Sequence, residues 1–382
     1  MEVHTHASFW KRFDLQEEDE EACLGAIRAW YPGSRVEEFC QQGGCSLTLL
    51  VESCVDTSTS STSTDEDQPD SDGNYSFIVQ IRPEQHFIDR NIAHAAQKTY
   101  LSLAPRIRQL DMKLPSRLCV YEMQKLHGTP LSRLLPQSGP LDLKTQHKQE
   151  TLVKSFAMFI ARGLQMSDTS DRQLRADSPI DDDAYMLSRC TGKVGASIIP
   201  RLEKLAEELP DQWLRQRAEN SLRCVRAAPT YPVVLNHGDL IPSNILVDAK
   251  TWRITGIVDW AEAEYLPFGT CLYGLEHILG YLTPAPSLSS PPSSDCTRSF
   301  KDDMPALMYY ARAKYLRERF WTWMWDELPE LKRRRDEVMG MRDVGVLLWY
   351  GYAWDDGAID RVVNEVKDAE EVACLRAFFS AA

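Results

Sequence analysis

The sequence predicts an α+β protein of two lobes, a small antiparallel sheet with one helix followed by a larger, mostly helical lobe. Three observations carry this. Two strand-like runs, Ser46 to Glu52 and Tyr75 to Arg82, are rich in Val, Ile, Leu and Phe and lie either side of a polar insertion, the pattern of an overgrown hairpin. Ile88, Ile92, Ala95, Ala96 and Tyr100 then recur at three- and four-residue spacing, one face of a helix after Pro83. Past Gln124 the chain turns helical, with Leu152, Val153, Phe156, Phe159 and Ile160 marking a helix after Pro140.

Leu118 to Met123 reads as a further strand, so the lobes are expected at residues 1–123 and 124–382. From Val233 the pattern becomes short apolar strands, Val233 to Leu235, Ile245 to Val247 and Ile254 to Val258, separated by polar loops of the kind that carry chemistry. The last eighty or so residues are helical in tone, and Trp321, Trp323 and Trp325 are spread around a helix, which indicates packing. Two stretches are too poor in apolar residues to offset the entropy of ordering. They are about 54–74, with its Ser, Thr and Asp run from Thr57 to Asn74, and about 283–298, dominated by Ser and Pro; both are expected to be disordered.

With 382 residues, 43% of them apolar, the chain has enough material for substantial cores. A formal net charge of −13 argues against general nucleic-acid or anionic-membrane binding and, weakly, suits a cationic substrate. The N-terminus has no apolar run of signal-peptide length, and nowhere do ~20 apolar residues follow one another, so a cytoplasmic location without membrane contact is expected. The ten cysteines show no Cys-x-x-Cys, and Cys40 and Cys45 flank a double glycine and do not form a zinc pattern, which leaves free thiols. His4 and His6 lie on a terminus, and Asp181-Asp182-Asp183 reads as a solvated charge run.

The informative segment is Asn236-His237-Gly238-Asp239-Leu240-Ile241-Pro242-Ser243-Asn244-Ile245-Leu246-Val247, followed by Gly256-Ile257-Val258-Asp259-Trp260. His237, Asp239 and Asn244 match H-x-D-x-x-x-x-N in order and spacing, with Asp259 on a strand downstream. Taken singly, Asp239 and Asn244 are common turn residues; the joint pattern, flanked by strands, is what points to chemistry. Phosphoryl transfer needs a hydroxyl held in line with a phosphate and positive charge over the phosphate oxygens. A carboxylate at Asp239 can orient the hydroxyl and accept its proton, while Asn244 and Asp259 offer the oxygen ligands a hard cation prefers.

On these residues the chain resembles the aminoglycoside phosphotransferase and choline kinase family, relatives of the protein kinases. The resemblance runs from about Val36 to Gly269 and implies a two-lobed protein-kinase-like fold with ATP between the lobes, magnesium as cofactor and a small-molecule hydroxyl compound as acceptor. It implies Asp239 as catalytic base, His237 as a brace of the loop, and Asn244 and Asp259 as metal ligands. In the first lobe it assigns Gly43, Gly44 and Ser46 to a shortened phosphate-covering loop, for which a plain hairpin turn is the other reading. Arg82 stands near the place of the usual phosphate-gripping lysine, and Glu122 and Met123 near the place where adenine is bound through main-chain groups.

The sequence departs from that pattern in three places. No glutamate lies between Ile88 and Tyr100 to partner the cation, Asp89 being the sole carboxylate nearby; Ile241 replaces a polar residue; and Asp259-Trp260-Ala261 replaces a glycine-ended metal motif. These departures, with Arg82, leave open a catalytically silent, kinase-like nucleotide-binding or scaffold protein. The acceptor's identity and the oligomeric state do not follow from the sequence.

Overall fold

Along the strands of the first third, alternate residues are apolar, and the sheet forms by burying that one face. The structure is a computed structural model and describes residues 9–40, 42–53, 75–115, 117–175, 186–283 and 305–381. The expected disordered stretch 54–74, His4, His6 and Asp181–Asp183 lie outside these residues, as does the stretch 283–298 apart from Thr283, which ends a strand. Two compact units emerge, Met1–Lys98 with Ala104–Leu126, and Thr99–Leu103 with His127–Ala382.

The first unit begins with α1 (Phe9–Arg12) and α2 (Glu17–Trp30), then β1 (Ser34–Glu38), β2 (Leu47–Ser53), β3 (Tyr75–Pro83), α3 (Arg90–Tyr100), β4 (Ile107–Leu110) and β5 (Leu118–Gln124). All five strands pair antiparallel in the order β1-β2-β3-β5-β4. Register places Leu47 opposite Ile81 and Leu49 opposite Val79, so the odd-numbered residues of β2 and β3 share a face. That face is sealed by Phe9 and Trp10 of α1 and by Cys23 and Ile27 of α2. The other face of β2 and β3 carries Thr48, Gln80 and Arg82. The strand before the Gly43–Gly44 loop, β1, is Ser-Arg-Val-Glu-Glu, a polar edge strand and not an apolar one, whose charges discourage pairing with another chain.

In the second unit come β6 (Thr129–Pro130), the long α4 (Leu143–Arg175), α5 (Gly192–Gly195), α6 (Ile198–Glu208) and α7 (Gln212–Ala227). After them follow β7 (Val233–Asn236), β8 (Ile245–Val247), β9 (Ile254–Ile257), β10 (Glu264–Pro267), α8 (Tyr273–Ile278), β11 (Gly280–Thr283) and β12 (Ala306–Tyr309). The unit ends with α9 (Ala313–Glu327), α10 (Arg335–Tyr350) and α11 (Ala369–Ser380). Its short strands form small antiparallel sheets, β6-β8-β9, β7-β10 and β11-β12, set among the helices. This is the two-lobed α+β architecture the sequence predicts, a small sheet unit followed by a mostly helical one.

Helix α9 carries the three tryptophans: Trp325 is buried and stacks on Trp321 with ring centroids 5.3 Å apart, while the partly exposed Trp323 lies under the Arg319 guanidinium at 4.7 Å. A buried carboxylate, Glu276 on α8, holds α9 and α10 together. Arg317 approaches it at 2.7 Å and Arg342 at 3.1 Å. Burial alone would raise the Glu276 pKa, but the hydrogen bonds and charge of the two arginines hold it below the usual carboxylate range. Among the described residues no helix is long and apolar enough to cross a membrane.

Candidate active site

Strand β7 delivers the chain to the site and is anchored by Asn236. Its buried amide donates to the carbonyls of Val234 (3.0 Å) and Leu266 (3.1 Å) and accepts from the Thr270 hydroxyl (3.0 Å) and the Cys271 amide (3.2 Å). Every polar atom of this buried side chain is satisfied, so the end of β7 is fixed against β10. Beyond it the loop turns through Gly238 at φ +81°, where a Cβ would stand 2.0 Å from the Glu262 carbonyl oxygen. Only glycine fits there.

His237 is buried, with Nε2 2.8 Å from the Val258 carbonyl and Nδ1 accepting the Asp239 amide at 3.2 Å. The carbonyl partner requires a proton on Nε2 and the amide requires a lone pair on Nδ1, which defines a neutral imidazole. Burial pushes its pKa down to about 4, against the opposing pull of Asp259. The imidazole thus ties the loop to the end of β9 and has no proton-accepting nitrogen to spare.

Asp239 is half-buried. Its carboxylate accepts the Asn244 amide, Nδ2 to Oδ2 2.7 Å, and the same Nδ2 lies 3.0 Å from the Asp239 carbonyl. Burial first, and the charge of Asp259 second, raise its pKa from 3.8 to about 6, with the Asn244 hydrogen bond pulling the other way. The loop closes on itself through Ile241 N to Asp239 O (3.1 Å) and Asn244 N to Ile241 O (3.0 Å), and Val258 N to Asn244 O (2.9 Å) binds it to the strand before Asp259. Asp259 itself sits at φ +63°, a left-handed conformation uncommon outside glycine. From the other side, the buried Tyr273 hydroxyl accepts the Leu240 amide at 3.0 Å, and its ring stacks on Trp349 at 5.0 Å. So His237, Asp239, Asn244 and Asp259, selected by spacing, come together in one hydrogen-bonded and electrostatic cluster.

The donor set suits magnesium. Because Asn244 gives Nδ2 to Asp239, its oxygen end is turned away from that carboxylate, and Asp259 adds a second hard oxygen donor. Magnesium is commonly held by one or two carboxylates with phosphate and water completing six ligands, so a larger cage is not required. Among the described residues no group of three or more His, Cys, Asp or Glu is placed to hold a metal alone.

In the first unit, Gly43 and Gly44 lie in the turn from β1 to β2. Gln42 spans this turn, donating to the Phe39 and Thr48 carbonyls at 2.9 and 2.7 Å and accepting the Thr48 amide at 2.8 Å, while Arg12 donates to the Gly43 carbonyl at 3.0 Å. A Cβ at Gly43 or Gly44 would meet nothing nearer than 3.8 Å, and neither has positive φ, so the fold does not demand glycine at either. Ser46 is buried 3.5 Å from the Thr48 hydroxyl; Gln80 donates to Thr48 at 3.2 Å; and Arg82 Nε donates to Gln80 at 2.9 Å. Arg82 is only 2% exposed and its Nη1 also reaches the His86 carbonyl at 3.4 Å, so it does not point to solvent at the strand end.

Glu122 and Met123 need correction. They lie within β5, whose main chain is paired with β3 on one side and β4 on the other, so their amides and carbonyls are consumed by the sheet. The Glu122 carboxylate is taken by Tyr31 (2.7 Å) and Arg108 (2.8 Å). The pairing ends with Gln124 N to Arg106 O at 2.9 Å, so main chain outside the sheet starts at Lys125. Asp89 caps α3, accepting the Asn91 amide at 2.8 Å, and within α3 there is no carboxylate, as the sequence shows. The partner that sequence reasoning sought for Arg82 on the helix is supplied on its own strand by Gln80, which no motif marks.

Residues 68–269 match the phosphotransferase enzyme family, APH. The chain belongs to this family. Solved structures similar to this phosphotransferase include an ethanolamine kinase from Plasmodium vivax, at 12% identity over 92% of this chain and 84% of that one, TM-score 0.49. They also include an aminoglycoside phosphotransferase from Streptomyces rimosus in complex with ADP and streptomycin, at 14% identity over 86% and 98%, TM-score 0.38. A macrolide 2'-phosphotransferase from Brachybacterium faecium is similar at 20% identity over 67% and 77%, TM-score 0.38. A comparison with curated protein sequences finds no match.

Proposed function

We propose that this phosphotransferase moves the γ-phosphoryl group of ATP, with magnesium, to a hydroxyl of a small molecule. The observation that carries the reading is Asp239: a half-buried carboxylate, oriented by Asn244 and raised to about 6 by burial and by Asp259. A carboxylate so placed is ionised at neutral pH, yet basic enough to take a proton from a hydroxyl as its oxygen attacks phosphorus. In the balanced step the acceptor oxygen bonds to the γ-phosphorus, the bond from that phosphorus to the ADP oxygen breaks, and the hydroxyl proton passes to Asp239 and on to solvent.

His237 is assigned to hold the loop and Asn244 to orient Asp239 through Nδ2 while presenting Oδ1 to the metal, with Asp259 as the second protein ligand. Bound magnesium would offset the negative charge of the phosphate oxygens and of the Asp239 and Asp259 pair. In the first unit, Arg82, positioned by Gln80, is assigned to the nucleotide phosphates, and the Gln42-braced glycine loop to their main-chain recognition.

The test is ADP release with magnesium across a panel of hydroxyl compounds. Acceptor-dependent release that Asp239→Asn reduces by ~10²–10⁴ supports the reading. Nucleotide binding without release for any acceptor would favour the silent relative, for which the carboxylate-free α3 is the supporting observation.

A further inference from the structure

At the opposite end of β9 from Asp259 lies a cavity of about 580 Å³, and every residue that lines it belongs to the second unit. That volume is within the ~300–1,000 Å³ typical of small-molecule sites. Its floor is aromatic, formed by the buried rings of Tyr100 and Phe159, stacked with centroids 4.6 Å apart. One wall is a stripe of α4 in which Lys154, Met158, Arg162 and Gln165 recur at three- and four-residue spacing. Arg253 and Ile254, where the chain enters β9, form another.

Three cations, Lys154, Arg162 and Arg253, line this cavity against one carboxylate, Glu327, and leave it a formal charge of +2. That balance runs against a chain whose net charge is −13. Arg162 is partly committed, its Nε donating to the Thr99 carbonyl at 2.7 Å. Lys154 and Arg253 are exposed, and among the described residues neither head group makes a hydrogen bond or an ion pair. Solvation alone satisfies an exposed cation. It does not satisfy the apolar lining, where Met158 is 47% and Leu101 51% exposed, and Leu101 is held at φ +51°, a left-handed conformation unfavourable for its side chain. Burial of that side chain does not offset the strain, so an apolar body that covered it would gain contact area already laid open.

We propose that this cavity is a second ligand site, for a small phosphate monoester with an apolar body, and that its occupant is felt at the Asp239 loop. The phosphate is held by Lys154 and Arg253, and the body lies over Leu101 and Met158. A phosphate monoester carries about −1.5 to −2 at neutral pH, which meets the lining charge; a monocarboxylate leaves a cation unmatched, and a triphosphate exceeds it.

The link to the loop runs through packed side chains. Tyr100 and Phe159 also meet Trp260, at 5.0 and 6.4 Å between centroids, and Trp260 packs edge-on against His237 at 4.6 Å. The Tyr100 hydroxyl donates to the Leu235 carbonyl of β7 at 3.2 Å, and the Ser155 hydroxyl, in the lining, accepts the Ile254 amide of β9 at 3.2 Å. The lining thus touches both strands that lead to Asp239 and Asp259. None of this depends on the phosphotransferase reading, because no lining residue belongs to the Asp239 cluster.

The experiment titrates the full chain, without nucleotide or metal, with benzyl phosphate, inorganic phosphate, phenylacetate and benzyl alcohol by calorimetry. In parallel it follows the Trp260 indole N–H, which donates to the Ile257 carbonyl, by NMR, assigned from its contacts with Tyr100 and His237. Benzyl phosphate should bind ~10-fold tighter than the other three, lose ~10-fold in Lys154→Gln and in Arg253→Gln, and recover in part in Lys154→Arg. Both side chains are exposed, so these variants should fold as the native chain does. On saturation the Trp260 signal should shift. No binding, equal binding of inorganic phosphate or of benzyl alcohol, or affinity unchanged in both Gln variants, which would put the anion elsewhere, would each overturn the site. Binding that leaves the Trp260 signal in place would overturn the link to the loop.

Discussion

Replacing Asp239 by Asn should remove activity and at the same time stabilise the ligand-free protein at neutral pH. The folded state holds the Asp239 carboxyl at about 6, against an ordinary 3.8, because ionising it means charging a half-buried group near Asp259. A carboxyl raised on folding contributes stability that is complete below the unfolded pKa and is lost as pH climbs through the folded one, here between about 4 and 6. At ~1.4 kcal/mol per tenfold change, the loss amounts to ~3 kcal/mol above pH 6. Asparagine keeps the shape and an acceptor for Asn244 Nδ2 but carries no charge. With ~2–4 °C per kilocalorie for domains of 150–250 residues, the melting temperature of Asp239→Asn should rise by ~6–12 °C at pH 7.5 in metal-free buffer and by no more than ~2 °C at pH 4. Scanning calorimetry of both proteins at the two pH values is the assay. A gain that is the same at both, or a loss at pH 7.5, would refute the electrostatic account of the site.

Asp259→Ala should weaken nucleotide binding with magnesium far more than without it; equal losses by calorimetry would make Asp259 structural. His237→Ala should cost about 2–4 kcal/mol in denaturant unfolding by stranding the Val258 carbonyl and the Asp239 amide. In the native enzyme the His237 imidazole should titrate by NMR near pH 4, so its contribution to stability, present above 6.5, is lost as pH falls toward 4. Arg82→Ala should lower ATP affinity at least ~10-fold, with Arg82→Lys recovering part of it; unchanged affinity and turnover in Arg82→Ala would remove the phosphate anchor. Gly238→Ala should lower melting by several degrees and abolish turnover, because its Cβ would stand 2.0 Å from the Glu262 carbonyl oxygen.

What the sequence made legible followed from periodicity and from one fixed spacing. The hairpin of β2 and β3, the strand β5 and the three short strands β7 to β9 appear within one or two residues of where alternation and apolar runs place them. His237, Asp239, Asn244 and Asp259 could be found together because a single loop and the next strand bring them into contact. What escaped was contributed from far along the chain. Tyr273 reaches Leu240 across 33 residues and Tyr31 reaches Glu122 across 91, and no local pattern encodes such meetings. Glu122 and Met123 were misplaced for a related reason: a strand that is central in the sheet reads like one at an edge until its second neighbour, β4, is known. Four residues of mixed polarity, Ile107–Leu110, gave that neighbour no signature.

The choice between a working enzyme and a silent relative turns on where the fold carries unfavourable features. Between residues 237 and 259 they accumulate: a carboxylate raised to about 6, a second carboxylate whose charge raises it, a left-handed Asp259, and a glycine at φ +81°. Each is destabilising or restrictive by itself, and loops whose only duty was to connect β7, β8, β9 and β10 could shed the two carboxylates with a gain in stability. The departure on α3 weighs less, because Arg82 is already immobilised by Gln80 and the His86 carbonyl. A glutamate partner both orients a cation and offsets its charge, whereas the neutral Gln80 amide orients Arg82 without itself offsetting that charge. On that reasoning the missing glutamate changes how Arg82 is held and leaves its proposed role at the phosphates open to the Arg82→Ala test, while the raised Asp239 carboxylate and the left-handed Asp259 are the features that favour the catalytic reading.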